Sequence, residues 1–173
     1  MLDVYVEGAR DADTMLGQLK DYFTAQDEPV VLVFFGDHLP YLGDNQLAYT
    51  ELGMTSEEHW SELNSYKTPY VIWANDSAYE MLNWSSTANL PETISSSFLG
   101  AAVVGLTGHS SDSSWFTFLN DLCLEYPVVH KNAAVLPDGS VVNPYTLDDH
   151  SPKALEKWRQ WSYYKLKYQE FKG

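Results

Sequence analysis

Cysteine is almost absent from this chain: Cys123 stands alone, so no intramolecular disulfide can form. It lies in an apolar helical pattern with no basic neighbour to favour a thiolate, and reads as a small core residue, not a catalytic thiol. Positive charge is scarce as well, with 10 Lys and Arg against 24 Asp and Glu and a formal net charge of −14. That balance disfavours sequence-independent binding to DNA or RNA, which needs cations to neutralise phosphates, and equally disfavours direct docking on anionic lipid. A metal or a cationic partner is compatible with it, as is a simple role in solubility. No apolar run is long enough to span a bilayer, and Met1-Leu2-Asp3-Val4 has neither the charged nor the apolar region of a signal peptide, so the chain reads as soluble. Repeats, low-complexity tracts, a Gly-rich phosphate loop and CxxC pairs are also missing.

What is present is enough for one domain with a real core: 173 residues, 45% hydrophobic and 14% aromatic. Its organising stretch is Glu28-Pro29-Val30-Val31-Leu32-Val33-Phe34-Phe35-Gly36-Asp37-His38-Leu39-Pro40. The apolar run is too short for a buried helix and fits a central strand covered on both faces, as in a parallel sheet. Gly36 ends the run and Pro40 cannot continue a ladder, which puts Asp37 and His38 at the carboxyl end, the edge where open α/β sheets bind ligands. A carboxylate oxygen and an imidazole nitrogen suit zinc or manganese. Adjacent strand residues point to opposite faces, so the two reach one ion only if the backbone turns there. The other reading is an ordinary strand-end loop, in which Asp37 accepts backbone N–H bonds and His38 is exposed.

Ahead of this stretch, Ala12, Met15, Leu16, Leu19, Tyr22 and Phe23 recur at helical spacing and predict a helix over residues 3 to 25 packed on the sheet, with Asp11, Asp13 and Asp21 solvated. Behind it, Tyr41 to Asn45 is turn-rich, and residues 46 to 65 form a long connection with a short helix at 56 to 64 as an equal option. His59 there reads as an exposed loop histidine, with a reach toward the site as the other option. Thr68-Pro69 starts a second buried strand, Tyr70 to Ala74, followed by Asn75-Asp76-Ser77 as a helix cap, with Asn75 structural. Thr93 or Ser95 caps a helix running to Leu106, and a second helix runs from Trp115 to Glu125. His109, Ser110 and Asp112 are crowded into one turn, whereas a triad needs residues converging from separate elements, so they are read as capping chemistry. Ala133 to Leu136 and Ser140 to Asn143, joined by Pro137-Asp138-Gly139, predict a hairpin. Ser151 to Phe171 predicts a last helix, whose aromatic residues serve as core or as a docking face.

Phe35-Gly36-Asp37-His38-Leu39-Pro40 closely resembles the Gly-Asp-His segment of sulfatase-like enzymes in the alkaline phosphatase superfamily, especially the lipoteichoic acid synthase and phosphoglycerol transferase branch. Upstream, Tyr5 and Asp11 to Leu19 are similar to that family's helix leading into the metal-binding strand. Downstream, Tyr66 to Asn75 is similar to its next strand and Ile94 to Gly108 to its following helix. The resemblance covers nearly the whole chain, loosely after Tyr126.

The resemblance implies an α/β fold: a partial alkaline-phosphatase-like sandwich, mainly a parallel sheet flanked by helices, with a small C-terminal hairpin. It implies that residues 1 to 173 are the C-terminal part of a single sulfatase-like catalytic domain whose N-terminal part is the chain's partner. The chemistry would be metal-dependent transfer of phosphoglycerol or phosphoethanolamine, or sulfatase-like hydrolysis, with a hydroxyl nucleophile and a covalent intermediate. In the phosphoglycerol-transferring branch the nucleophile is a threonine well ahead of the Gly-Asp-His segment, accompanied by an acidic metal ligand and a substrate-binding histidine. Only 36 residues precede Asp37, so these have no counterparts, and Asp37 and His38 alone carry over, as metal ligands. The chain then supplies the Asp-His half of a manganese or zinc site and is inactive by itself. The whole enzyme would be membrane-anchored with an extracytoplasmic catalytic domain, acting on a phospholipid or cell-envelope glycopolymer and not on nucleic acid. Two alternatives remain: a non-catalytic α/β binding module using the strand-end crevice, and an interaction domain using the aromatic C-terminal helix.

Overall fold

The computed structural model describes residues 2–55, 63–82, 90–109, 112–130, 133–143 and 151–168. It divides the chain into two compact units, residues 1–82 and 83–173. The class is α/β, as the sequence predicts, with six α-helices and small sheets among the described residues.

The first unit opens with helix α1, Leu2–Thr24. Its partly buried positions include Ala12, Leu16, Leu19 and Phe23, which recur at intervals of four and three and so line one face. Met15 and Tyr22, predicted on the same stripe, are 48% and 63% exposed. A step of one residue rotates each of them about 100° from its inward neighbour, enough to leave a narrow face. Backbone N–H groups of Ala25 and Gln26 close the helix onto the Tyr22 and Phe23 carbonyls, and Asp27-Glu28-Pro29 leads into strand β1, Val31–Phe35.

Strand β1 pairs with β2, Tyr70–Ala74, in register from Val31 opposite Ala74 to Phe35 opposite Tyr70. The pairing is antiparallel and β1 is only half-buried, which corrects the expectation of a central strand in a parallel sheet. An apolar run records how greasy a strand is; neighbour direction is decided by how the intervening chain returns, and here Tyr70 enters beside the end of β1. Cross-strand pairs of Phe34 with Val71 and Phe35 with Tyr70 then pack β-branched and aromatic side chains together.

Between the strands lie a 3-10 turn at Asp44–Gln46 and helix α2, Leu47–Glu51. Leu42, Ala48 and Tyr49 form a small buried cluster there, with Leu2 and Leu39 packed against it. The alternative helix at 56 to 64, and His59 with it, falls largely outside the described residues; the described part ends in a 3-10 turn at Asn64–Tyr66. Asn75 caps helix α3, Asp76–Met81, by accepting the Ala78 N–H at 3.0 Å, as predicted.

The second unit is built on helices α4, Ser96–Leu106, and α5, Ser114–Glu125. Phe98 and Ala101 of the former and Leu119, Leu122 and Cys123 of the latter join Tyr126, Ala134 and Leu155 in one buried core. Gly105 permits close approach: a Cβ on it would stand 3.0 Å from the Asn120 amide nitrogen. Ser95 is the N-cap residue but not a side-chain cap. Its hydroxyl donates to the Val129 carbonyl at 3.2 Å and accepts the Val129 N–H at 2.8 Å, tying the helix start to strand β3, Val128–Val129.

The predicted hairpin is present as β4, Ala134–Val135, and β5, Val141–Val142, and β3 adds a third antiparallel strand on the far side of β4. Its turn depends on Gly139 at φ +83° and on Asp138, whose carboxylate accepts from both the backbone N–H and the hydroxyl of Ser140. Those bonds favour the charged form and hold the Asp138 carboxyl below the usual carboxylate range. The chain continues to helix α6, Ser151–Tyr168, which places Leu155 in the core and Trp158 against it. Among the described residues no helix is long and apolar enough to cross a membrane.

Candidate functional site

Strand β1 stops at Phe35 because Gly36 is gripped from the side. Its N–H donates to the Pro69 carbonyl at 3.0 Å and its carbonyl accepts the Thr68 hydroxyl at 2.7 Å. A Cβ at residue 36 would meet the Thr68 Cβ at 3.0 Å, so glycine is what lets the segment before β2 lie this close. Thr68 was legible only as the start of a strand; nothing in its local sequence reveals that it fixes the residue ahead of the Asp-His pair.

Past Gly36 the backbone bends, and Asp37 and His38 leave the ladder together. Asp37 Oδ2 lies 3.4 Å from His38 Nε2, with the two side chains 79% and 76% exposed. Asp37 Oδ1 accepts the His38 N–H at 2.9 Å, which fixes the carboxylate, and His38 Nδ1 sits 2.9 Å from the Leu39 carbonyl. A carbonyl only accepts, so that contact is a hydrogen bond with Nδ1 as the donor, and Nε2 is the ring nitrogen that approaches Asp37. A carboxylate oxygen and an imidazole nitrogen this close are held together by positive charge between them, either a proton on Nε2 or a cation.

That arrangement fits a metal ion in part. Two ligands of a tetrahedral ion with bonds of about 2.0–2.1 Å stand about 3.3 Å apart, close to the observed separation. The Nδ1–H to carbonyl bond is the kind of outer contact that orients ligating histidines. Among the described residues, however, no group of three or more His, Cys, Asp or Glu side chains gathers around a common point. The exposure of His38 and the backbone bond to Asp37 are also the features of an ordinary strand-end loop; the convergence of the two side chains is what goes beyond it.

The loop after the pair is fixed as well. Tyr49 is buried and donates its hydroxyl to the Pro40 carbonyl at 2.8 Å, and loss of solvation pushes its phenol pKa up. Tyr41 donates to the Asp44 carboxylate, which raises the Tyr41 pKa in turn. Thus the segment is clamped at Gly36 and again at Pro40. In the second unit His109 Nδ1 and Asp112 Oδ2 pair at 3.0 Å on the surface, within one turn of chain as predicted, and Ser110 lies outside the described residues. Asn75 emerges at the end of β2 but is buried and committed to backbone groups, in keeping with a structural role.

Comparison with known proteins bears on what this loop belongs to. The "Putative cyclic beta-1,2-glucan modification protein" of Rhizobium meliloti (strain 1021) is 26% identical over 165 residues, covering 92% of this chain and 24% of that protein. The chain therefore spans about a quarter of the length of that relative. No solved structure matches it. The family model described as Sulfatase matches residues 1–109, which contain Gly36, Asp37, His38, Thr68 and Asn75, and on that match the chain belongs to the Sulfatase family.

Proposed function

We propose that this chain contributes Asp37 and His38 to a divalent-metal site in a phosphoglycerol or phosphoethanolamine transferase, or a sulfatase-like hydrolase, of the lipoteichoic acid synthase and phosphoglycerol transferase branch. The observation that carries the reading is the 3.4 Å approach of Asp37 Oδ2 to His38 Nε2 at a strand end, with both side chains open to solvent. Family membership and a relative named for glucan modification support it.

In this reading Asp37 offers a carboxylate oxygen and His38 its Nε2, to manganese or zinc. When bound there, such an ion polarises a phosphoryl or sulfuryl oxygen and eases deprotonation of a hydroxyl nucleophile. The chain's own part is positioning: the Leu39 carbonyl holds the imidazole by Nδ1–H, Thr68 and Pro69 hold Gly36, and Tyr49 holds Pro40. Preset donors spare the site the cost of ordering them on binding.

Two protein ligands make a weak site, and catalytic zinc sites use three from the protein. The remaining ligand and the nucleophile are assigned to polypeptide outside these 173 residues, within a longer membrane-anchored protein whose catalytic domain is extracytoplasmic. Phe35 on one face of the β1–β2 pair and Val71 on the other each leave apolar surface exposed. The acceptor would be a glucan or related envelope glycopolymer and the donor a phospholipid.

The test is Asp37→Ala in the full-length protein, followed by metal content and turnover of a phosphodiester substrate. Loss of bound manganese or zinc together with activity is expected; a variant that keeps both overturns the assignment. The purified 173-residue chain is expected to show no metal-dependent turnover, and measurable turnover refutes the incomplete-site reading.

A further inference from the structure

The loop behind the Asp37–His38 pair has a buried side and an open side. Leu39 and Leu42 turn inward and pack with Ala48 and Tyr49 in the small core of the first unit. The residues just ahead of them, His38 and Tyr41, are exposed, Tyr41 to 69%. Both therefore stand on the side of the loop away from that core, and the peptide units between them hold their Cα atoms within about 11 Å of each other.

Tyr41 is not a loose surface ring. Its hydroxyl donates to Asp44 Oδ1, a bond that favours the protonated phenol and raises its pKa. The backbone on either side is set as well: the Tyr49 hydroxyl holds the Pro40 carbonyl at 2.8 Å, and Gly43 and Asn45 take positive φ values of 107° and 53°. Asp44 Oδ2 has no partner among the described residues. An oriented aromatic face thus lies beside a carboxylate with an accepting oxygen to spare, on the same side of the loop as His38.

Charge selects what can lie there. Residues 36–55 contain Asp37, Asp44 and Glu51 and no Lys or Arg. An anionic phosphodiester meets carboxylates around Tyr41 with no side-chain cation to offset them, whereas a neutral polyol meets no such repulsion. A pyranose ring presents an apolar C–H face that packs on the negative face of an aromatic ring, and hydroxyls that donate strong bonds to a carboxylate.

We propose that Tyr41 and Asp44 form the acceptor subsite: a neutral sugar ring of the acceptor glycopolymer stacks on Tyr41 and donates a hydroxyl hydrogen bond to Asp44 Oδ2. The inference rests on the transferase reading above and divides the loop between its two substrates, the anionic donor at Asp37 and His38 and the neutral acceptor at Tyr41. Asp44 is also a positioning residue, because its other oxygen orients the phenol.

The experiment uses the full-length protein, with a neutral glucose oligosaccharide as acceptor probe and the same oligosaccharide bearing phosphoglycerol groups as the anionic control. Tyr41→Ala is expected to raise the KM for the neutral probe about tenfold while the donor KM moves by less than about twofold. Tyr41→Phe, which keeps the ring and loses its bond to Asp44, and Asp44→Asn are each expected to raise it about threefold. Calorimetry on metal-stripped protein supplies a readout that needs no metal: the neutral probe binds, the anionic control binds at least about fivefold more weakly, and Tyr41→Ala weakens the neutral probe about tenfold. Metal retention by Asp37→Ala sinks the metal assignment alone, since saccharide binding to the stripped protein still decides the role of Tyr41. Absence of binding by the neutral probe, which makes Tyr41 an ordinary surface tyrosine, overturns the proposal. So does equal affinity for the two probes, or an acceptor KM unchanged in Tyr41→Ala.

Discussion

The Asn75 amide donates to the Glu28 carbonyl at 2.8 Å across 47 residues of sequence. The same NH2 group reaches the Phe23 and Gln26 carbonyls at 3.1 and 3.3 Å, while its oxygen accepts the N–H groups of Val30 at 2.9 Å and Ala78 at 3.0 Å. One side chain, 2% exposed, thereby joins the end of α1, the breaker before β1, the start of β1 and the first turn of α3. It sets where β1 begins, and so where the chain emerges at Asp37 and His38.

Replacing Asn75 by Ala would leave buried backbone donors and acceptors unpaired, at a cost of about 2–4 kcal/mol. Asn75→Asp keeps both accepting bonds but turns an NH2 group, whose two hydrogens are shared among three carbonyls, into a charged oxygen facing them, and is expected to destabilise at least as much. Chemical denaturation midpoints of the two variants check this. An Asn75→Asp variant as stable as the parent would show that the donated bonds contribute nothing.

Thr68→Val keeps the shape and removes the hydroxyl that holds the Gly36 carbonyl. A loss of about 1 kcal/mol is expected, and, on the metal site proposed above, metal retention by the full-length protein would weaken by up to about tenfold. Gly36→Ala is expected to do more harm, about 1–3 kcal/mol, because its Cβ would press on Thr68. Denaturation and metal titration separate the two effects: equal metal affinity in Thr68→Val and parent would remove Thr68 from any positioning role.

Cys123 is buried in the α4–α5 core, and burial pushes its thiol up to about 11 from an ordinary 9.0. The folded state thus disfavours the thiolate. The corresponding stability is fully present below pH 9 and is lost as pH rises toward 11, since the unfolded chain ionises first. Alkylation of Cys123 near pH 8 is expected to proceed only through opening of the second unit and to become rapid in denaturant. Rapid labelling of the native chain, at the rate of an unfolded thiol, would contradict the buried position.

Legibility in the sequence followed the range of the interactions. The α/β class, the boundaries of α1, α5 and β2, the Asn75 cap and the Pro137-Asp138-Gly139 hairpin were all readable, because periodicity and turn chemistry act within a few residues. The Asp37-His38 pair was visible by type and by resemblance to a family motif. Its convergence was not, because the bend after Gly36 depends on Thr68 and Pro69, more than thirty residues away.

By itself, then, the sequence determined which short segments become helices and strands, which residue types stand at the end of β1, and the sign of the charge on each stretch. Tertiary structure alone decided that β1 and β2 run antiparallel, that the Ser95 hydroxyl binds Val129 and not the first turn of its own helix, and that Asn75 ties four segments together. Each of these rests on backbone groups meeting across long separations, where the satisfaction of buried donors and acceptors, and not local preference, selects the arrangement.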